Sequence, residues 1–212
     1  MIQKIKSIAK RMFIYDIVKW RRGKKSSKMW KNKGKPMPPP PIIKQRTVKR
    51  FLKQYSIQTL IETGTFYGDM VEANRKNAKK IISIELDERL YNRAKEKFSR
   101  YKHIKIINGD SGEKLQEILQ TIRERCVFWL DSHYSGEGTA KGSLETPIMQ
   151  EIKAILNHSI PDHVILIDDA SNFIGEKDYP ELEEFKQYIL KMKPNLLFYV
   201  KNDIIRIHKE YE

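Results

Sequence analysis

The chain has 212 residues, 40% of them hydrophobic, and a formal net charge of +14, enough for one sizeable core with some tail to spare. Residues 1–50 hold 17 Lys and Arg against a single acid, Asp16, whereas residues 51–212 hold 24 bases and 26 acids. A near-neutral body argues against a nucleic-acid binder, and assigns the basicity to an N-terminal arm that can meet phosphates or an anionic membrane face. The single cysteine, Cys126, rules out an intramolecular disulfide and fits a reducing cytoplasm. It reads as a small buried hydrophobe in the run Cys-Val-Phe-Trp-Leu. No window reaches the ~18 apolar residues needed to span a bilayer. Lys4, Lys6, Lys10 and Arg11 interrupt any secretory leader.

In chain order, residues 1–20 place Ile2, Ile5, Ile8, Ala9, Met12 and Phe13 at helical spacing, with Lys and Arg between them. Such a helix suits an anionic membrane surface, or docking on its own domain or a neighbouring subunit. A basic stretch then leads into Pro38–Pro41, expected to form an extended polyproline spacer. The chain changes character at Thr47, which divides it into an arm and linker, 1–46, and a domain, 47–212. Helices are expected over 47–55, 69–77, 87–100, 113–125, 146–158 and 180–192. The fifth should be capped by Thr146, with Pro147 at its first position. Strands are expected at TLIETG, KIISIE, IKIING, CVFWLD and HVILIDD, and the end of the chain should form a hairpin around Lys201-Asn202-Asp203.

Five strands alternating with helices predict an α/β fold, a doubly wound and mostly parallel sheet closed by an antiparallel C-terminal hairpin into seven strands. Ligands of such sheets gather at the carboxyl ends of the strands, near the switch point. Here those ends read Glu62, Glu85, Asp110, Asp131 and Asp168/Asp169. Carboxylates at every parallel strand tip of a near-neutral body point to a site.

The first strand runs into Glu62-Thr63-Gly64-Thr65-Phe66-Tyr67-Gly68. Its glycines allow a tight turn and close approach of backbone to ligand, and the helix that follows offers free N–H groups. The dinucleotide pattern G-x-G-x-x-G is absent. Glu85, at the end of the second strand, can accept two hydrogen bonds from a ribose diol.

This pattern resembles the first motif of class I S-adenosylmethionine-dependent methyltransferases, in particular the small-molecule O-methyltransferases of catechol and macrolide-sugar type. Their Rossmann-like fold also ends in an antiparallel hairpin. The resemblance covers about residues 47–210. It implies that Glu62, Gly64, Thr65, Phe66 and Gly68 shape the pocket for the methionine end of S-adenosylmethionine. Glu85 would then hold the ribose, Asp110 and Ser111 would sit by the adenine, and Asp131 would border the same cofactor. It further implies a metal site for Mg²⁺ or another divalent cation at Asp131, Asp168 and Asp169, hard oxygen ligands that suit such an ion. The Asp-Asp pair is nearer the sugar enzymes than the catechol enzyme. His133 falls where some sugar enzymes keep a general base, and an imidazole accepts a proton near neutral pH, so His133 and Asp131 are the catalytic candidates. The Gly-rich segment from Tyr134 to Glu145, with Gly136, Gly138 and Gly142, reads as a lid, and Lys141 could meet an anionic acceptor.

The expected activity is metal-assisted methylation of a sugar or other polyhydroxylated acceptor, in a glycan or glycolipid pathway. The alternatives are a metal-independent methyltransferase of the same fold and a non-catalytic adaptor tethered by its arm. Nucleic acid is disfavoured as acceptor, because the Asn/Asp-Pro-Pro-aromatic motif of base amino-methyltransferases is absent. The expected location is cytoplasmic, with residues 1–35 against the inner face of the membrane, and a homo-oligomer is compatible with the sequence.

Overall fold

The computed structural model describes residues 21–132 and 144–210. Residues 21–32 are helical and form the described part of α1. The order continues α2 (Pro41–Gln54), β1 (Thr59–Thr63), α3 (Asp69–Asn74), β2 (Lys80–Glu85), α4 (Glu88–Phe98), β3 (Ile104–Asn108), α5 (Ser111–Leu119) and β4 (Cys126–Leu130). It ends with α6 (Ile148–Leu156), β5 (Val164–Ile167), a 3-10 turn (Ala170–Asn172), α7 (Leu182–Met192), β6 (Leu197–Lys201) and β7 (Ile204–His208).

The seven strands lie in the order β3-β2-β1-β4-β5-β7-β6. β1 to β5 pair in parallel, and β7 inserts antiparallel between β5 and β6. The inner strands are rich in Ile, Leu and Val because both faces are covered, as a parallel sheet requires. β1, β4 and β5 are buried at every residue, while the edge strand β6 is largely exposed. Alternate residues serve opposite faces. Ile61, Phe128, Ile165 and Ile207 pack with α5, α6 and α7, and Leu60, Val127, Leu166 and Ile204 pack with α2, α3 and α4.

The hairpin forms where the sequence placed it. Asn202 and Asp203 both have positive φ, 55° and 58°, the two-residue turn whose twist matches the flanking strands. The sheet winds out from β1 to β3 and returns to β4, so the switch point lies between the carboxyl ends of β1 and β4.

Several boundaries shift. Pro41 is the first residue of α2 rather than part of an extended spacer, because proline's fixed φ is already helical and its missing N–H has no partner to lose at that place. α2 therefore crosses the division drawn between residues 46 and 47. It packs on the sheet through Ile43, Thr47, Val48, Phe51 and Leu52. α5 begins two residues earlier than expected, capped by Asp110, whose carboxylate accepts from Gly112 N, and it ends at Leu119. Pro147, not Thr146, precedes α6 as its cap, and Thr146 Oγ1 instead donates to Ser132 O at 3.4 Å. The amphipathic stretch 1–20 and most of the Gly-rich segment, 133–143, lie outside the described residues. Among those that are described, no helix is long and apolar enough to cross a membrane.

Candidate active site

The turn after β1 fits its glycines closely. Gly64 has φ +82°, and a Cβ there would overlap the Asp131 carbonyl oxygen. The tips of β1 and β4 therefore touch backbone to backbone, and Asp131 N donates to Thr63 O at 3.1 Å. Gly68 has φ +70° and lies against the Phe98 ring. Between them Phe66 takes a positive φ of 48° and donates its backbone N–H to Glu85 Oε2 at 2.6 Å. Asp87 N donates to the other oxygen, Oε1, at 2.9 Å. Glu85 thus fixes the loop, and a carboxylate can still accept at its remaining lone pairs. Burial pushes its carboxyl upward, and the two backbone donors oppose that. Phe66 and Tyr67 stand exposed beside the crevice, their ring centroids 4.1 Å apart.

Glu62 lies behind this loop rather than in the open. It is 1% exposed and accepts from Ser83 Oγ at 2.5 Å, and Ser83 Oγ in turn meets Thr65 Oγ1 at 2.6 Å. Burial drives its carboxyl well above the usual range. Glu62 and Thr65 therefore shape the loop from beneath. On the other side of the crevice Ser111 Oγ donates to Ser132 Oγ at 2.8 Å, joining the start of α5 to the tip of β4.

The carboxylates of Asp131, Asp168 and Asp169 converge, with one oxygen from each within 4.8 Å of the others. Asp169 takes a left-handed conformation, φ 51°, and donates its N–H to Asp168 Oδ1. The hairpin turn holds this corner from below. Ala170 N donates to Asp203 O, and Ser171 donates its N–H and its hydroxyl to the Asp203 carboxylate at 2.8 and 3.0 Å. Burial, then Asp131 and Asp169, push the Asp168 carboxyl upward.

A divalent cation would match this donor set in charge and spacing, but a lysine is already there. Lys44 of α2 places Nζ 2.5 Å from Asp168 Oδ2 and 3.1 Å from Asp169 Oδ1. Burial opposes the charge on Lys44, yet the two carboxylates outweigh it and raise the pKa above the usual lysine value. An ammonium thus already meets two of the carboxylates that a divalent ion would need.

Three further residues at the site were not singled out from the sequence. They are Lys44, Tyr179 and Glu151. Burial pushes the Tyr179 hydroxyl up to about 12, with Asn172 and Thr146 as partners. Glu151 sits on the buried stripe of α6 beside Ile148, Ile152 and Ile155. Ser111 and Thr63 hydrogen-bond its carboxyl, yet Oε1 has no partner among the described residues, and burial pushes the group up to about 7. An acid at a core position of an apolar helix face is a signal the sequence carried. Lys44 gave none, because its partners lie more than a hundred residues away. His133 lies outside the described residues. Of the four other histidines, His158 and His163 hydrogen-bond each other at 2.9 Å, His103 meets Arg75 O and His208 meets the Tyr55 hydroxyl.

Comparison with known proteins agrees with this architecture. An O-methyltransferase from Bacillus cereus solved in complex with SAH superposes with a TM-score of 0.58 over 88% of this chain and 90% of that one, at 13% identity. The O-methyltransferase TomG from Streptomyces achromogenes, in complex with SAM, gives 0.58 over 89% of each chain at 11% identity. A putative caffeoyl-CoA O-methyltransferase from Staphylococcus aureus gives 0.57 over 94% and 99% at 11% identity. The fold is the Rossmann-like methyltransferase fold. In sequence the chain is 28% identical over 143 residues to the ribosomal RNA small subunit methyltransferase A of Caldanaerobacter subterraneus subsp. tengcongensis. That match takes in 66% of this chain and spans half the length of the relative. No protein family model matches the chain.

Proposed function

We propose that the protein is an S-adenosylmethionine-dependent methyltransferase acting on a hydroxyl of a sugar or other polyhydroxylated acceptor. The observation that carries this reading is the crevice at the β1/β4 switch point. A glycine turn pinned by a buried Glu85 stands on one side, and Asp131, Asp168 and Asp169 stand on the other. The cofactor, bound there, supplies an electrophilic methyl on a sulfonium that is already a good leaving group. The protein's share is then mainly positioning. Glu85 keeps lone pairs for a ribose diol, Asp110 and Ser111 border the far end of the crevice, and Phe66 and Tyr67 wall it with apolar surface. The carboxylates and Lys44 offer acceptors and a donor to a hydroxylated substrate. His133, two residues past Asp131, is the base proposed to take the hydroxyl proton. The basic arm, residues 1–35, suits an anionic membrane face and hence a membrane-associated acceptor.

Lys44 favours the metal-independent form of this reading over the Mg²⁺-assisted one. The ribosomal RNA relative favours a second reading, methylation of RNA, to which the arm would also contribute. The test is transfer of labelled methyl from S-adenosylmethionine to a panel of sugars, nucleotide sugars and lipid-linked glycans, with small-subunit ribosomal RNA as comparison. Label in a diol-bearing sugar and none in RNA is expected. Label confined to RNA would overturn the sugar reading and establish the second.

A further inference from the structure

We propose that Lys44 is the resident cation of the acidic site, its ammonium holding the place among Asp131, Asp168 and Asp169 that a divalent ion would otherwise take. The assignment draws its functional meaning from the methyl-transfer reading above, but its test does not depend on that reading. Three carboxylates this close repel one another and need positive charge among them. The described residues supply it. The Lys44 nitrogen touches Asp168 and Asp169 at 2.5 and 3.1 Å, direct ion-pair contact with both carboxylates. Magnesium or calcium would stand roughly 2.0–2.6 Å from the same oxygens, so ion and ammonium compete for one place.

The lysine is not a stray surface charge. Its side chain is 19% exposed and that of Asp168 is 2% exposed. Its backbone is fixed by helix neighbours on either side, Ile43, Thr47 and Val48, all buried against the sheet. A metal could therefore enter only if the lysine side chain alone swung away, leaving its charge nearby. An ammonium has three N–H donors. One is given to Asp169 Oδ1 and the charge pairs with Asp168 Oδ2, which leaves a donor that can serve an oxygen of an acceptor brought to the same corner. Lys44 is then a positioning residue. It also makes the site complete only when α2, the helix joined to the basic arm, is docked.

The experiment is titration of the chelator-stripped full chain with Mn²⁺, free ion being read by electron paramagnetic resonance. Wild type is expected to show no saturable site at the aspartates. Lys44→Met should gain one Mn²⁺ per chain, bound at least ~10-fold tighter than by wild type, because affinity at such sites follows their net negative charge. Adding Asp168→Asn should abolish the gain. Lys44→Arg, which keeps the charge, should exclude the ion as wild type does. A lysine that merely braced the fold would not produce this pattern. Saturable Mn²⁺ binding by wild type that Asp168→Asn removes would overturn the assignment, as would a folded Lys44→Met that binds no ion. If Lys44→Met does not fold, Lys44→Gln replaces it, and the wild-type titration still decides. No cofactor or acceptor enters the measurement, so failure of the methyltransferase reading would leave its outcome intact.

Discussion

Glu151 shows how a single residue at this site sets a pH dependence. Its carboxyl is buried and one oxygen has no partner among the described residues. Burial pushes its pKa up to about 7 from the ordinary 4.5. The folded state then holds a proton that the unfolded chain releases. The contribution to stability is whole below pH 4.5, falls as pH rises, and is lost above about 7. Glu151→Gln stays neutral throughout. It should match wild type near pH 4.5 and exceed it at pH 8 by on the order of 3 kcal/mol, read from urea midpoints without cofactor. Equal midpoints at pH 8 would show that water or a neighbour already satisfies the carboxylate. Glu151 was legible in the sequence as an acid on the apolar stripe Ile148, Ile152, Ile155. Lys44 was not, because among so many bases in the arm nothing local marks the one that turns inward.

At the scale of elements, the site is assembled by a piece far from it in sequence. The strand tips were legible because each parallel strand is a short, largely apolar run with a carboxylate at or next to its end. The bracing of the last tip was not. The turn of the β6–β7 hairpin supplies the Asp203 carboxylate, which accepts twice from Ser171 and holds the corner behind Asp168 and Asp169. Removing a buried acceptor strands its donors, at a cost of about 1–3 kcal/mol. Asp203→Ala should lower stability by that amount in urea unfolding. Asp203→Asn should lose less, since asparagine keeps an acceptor oxygen and tolerates the left-handed conformation. Equal losses would indicate that the negative charge and the pair of carboxylate acceptors, which asparagine lacks, are what Asp203 provides rather than the turn conformation. Helix ends were the least legible feature, and Pro41 shows why. A proline run reads as a spacer, but its last member is also the best first residue of a helix.

Taken as a whole, the molecule divides its charge and its chemistry. The net positive charge lies in the first fifty residues, and the strand-tip acids gather at one end of a near-neutral body. α2 joins the two halves, since it continues from the basic arm and delivers Lys44 to the acids. The alternation of strands and helices made the sheet and its terminal hairpin readable from sequence alone. The partner of the acidic tips was not, because charge counts locate a deficit and not the group that fills it. The central claim is that the β1/β4 crevice binds S-adenosylmethionine. It is tested most directly by calorimetric titration of the folded, chelator-stripped chain with that compound. One saturable site per chain is predicted, weakened roughly tenfold or more in Glu85→Ala, where the ribose acceptor and the clasp on Phe66 are both lost. A folded wild-type protein that takes up no S-adenosylmethionine would contradict the account and return attention to the basic arm as the seat of function.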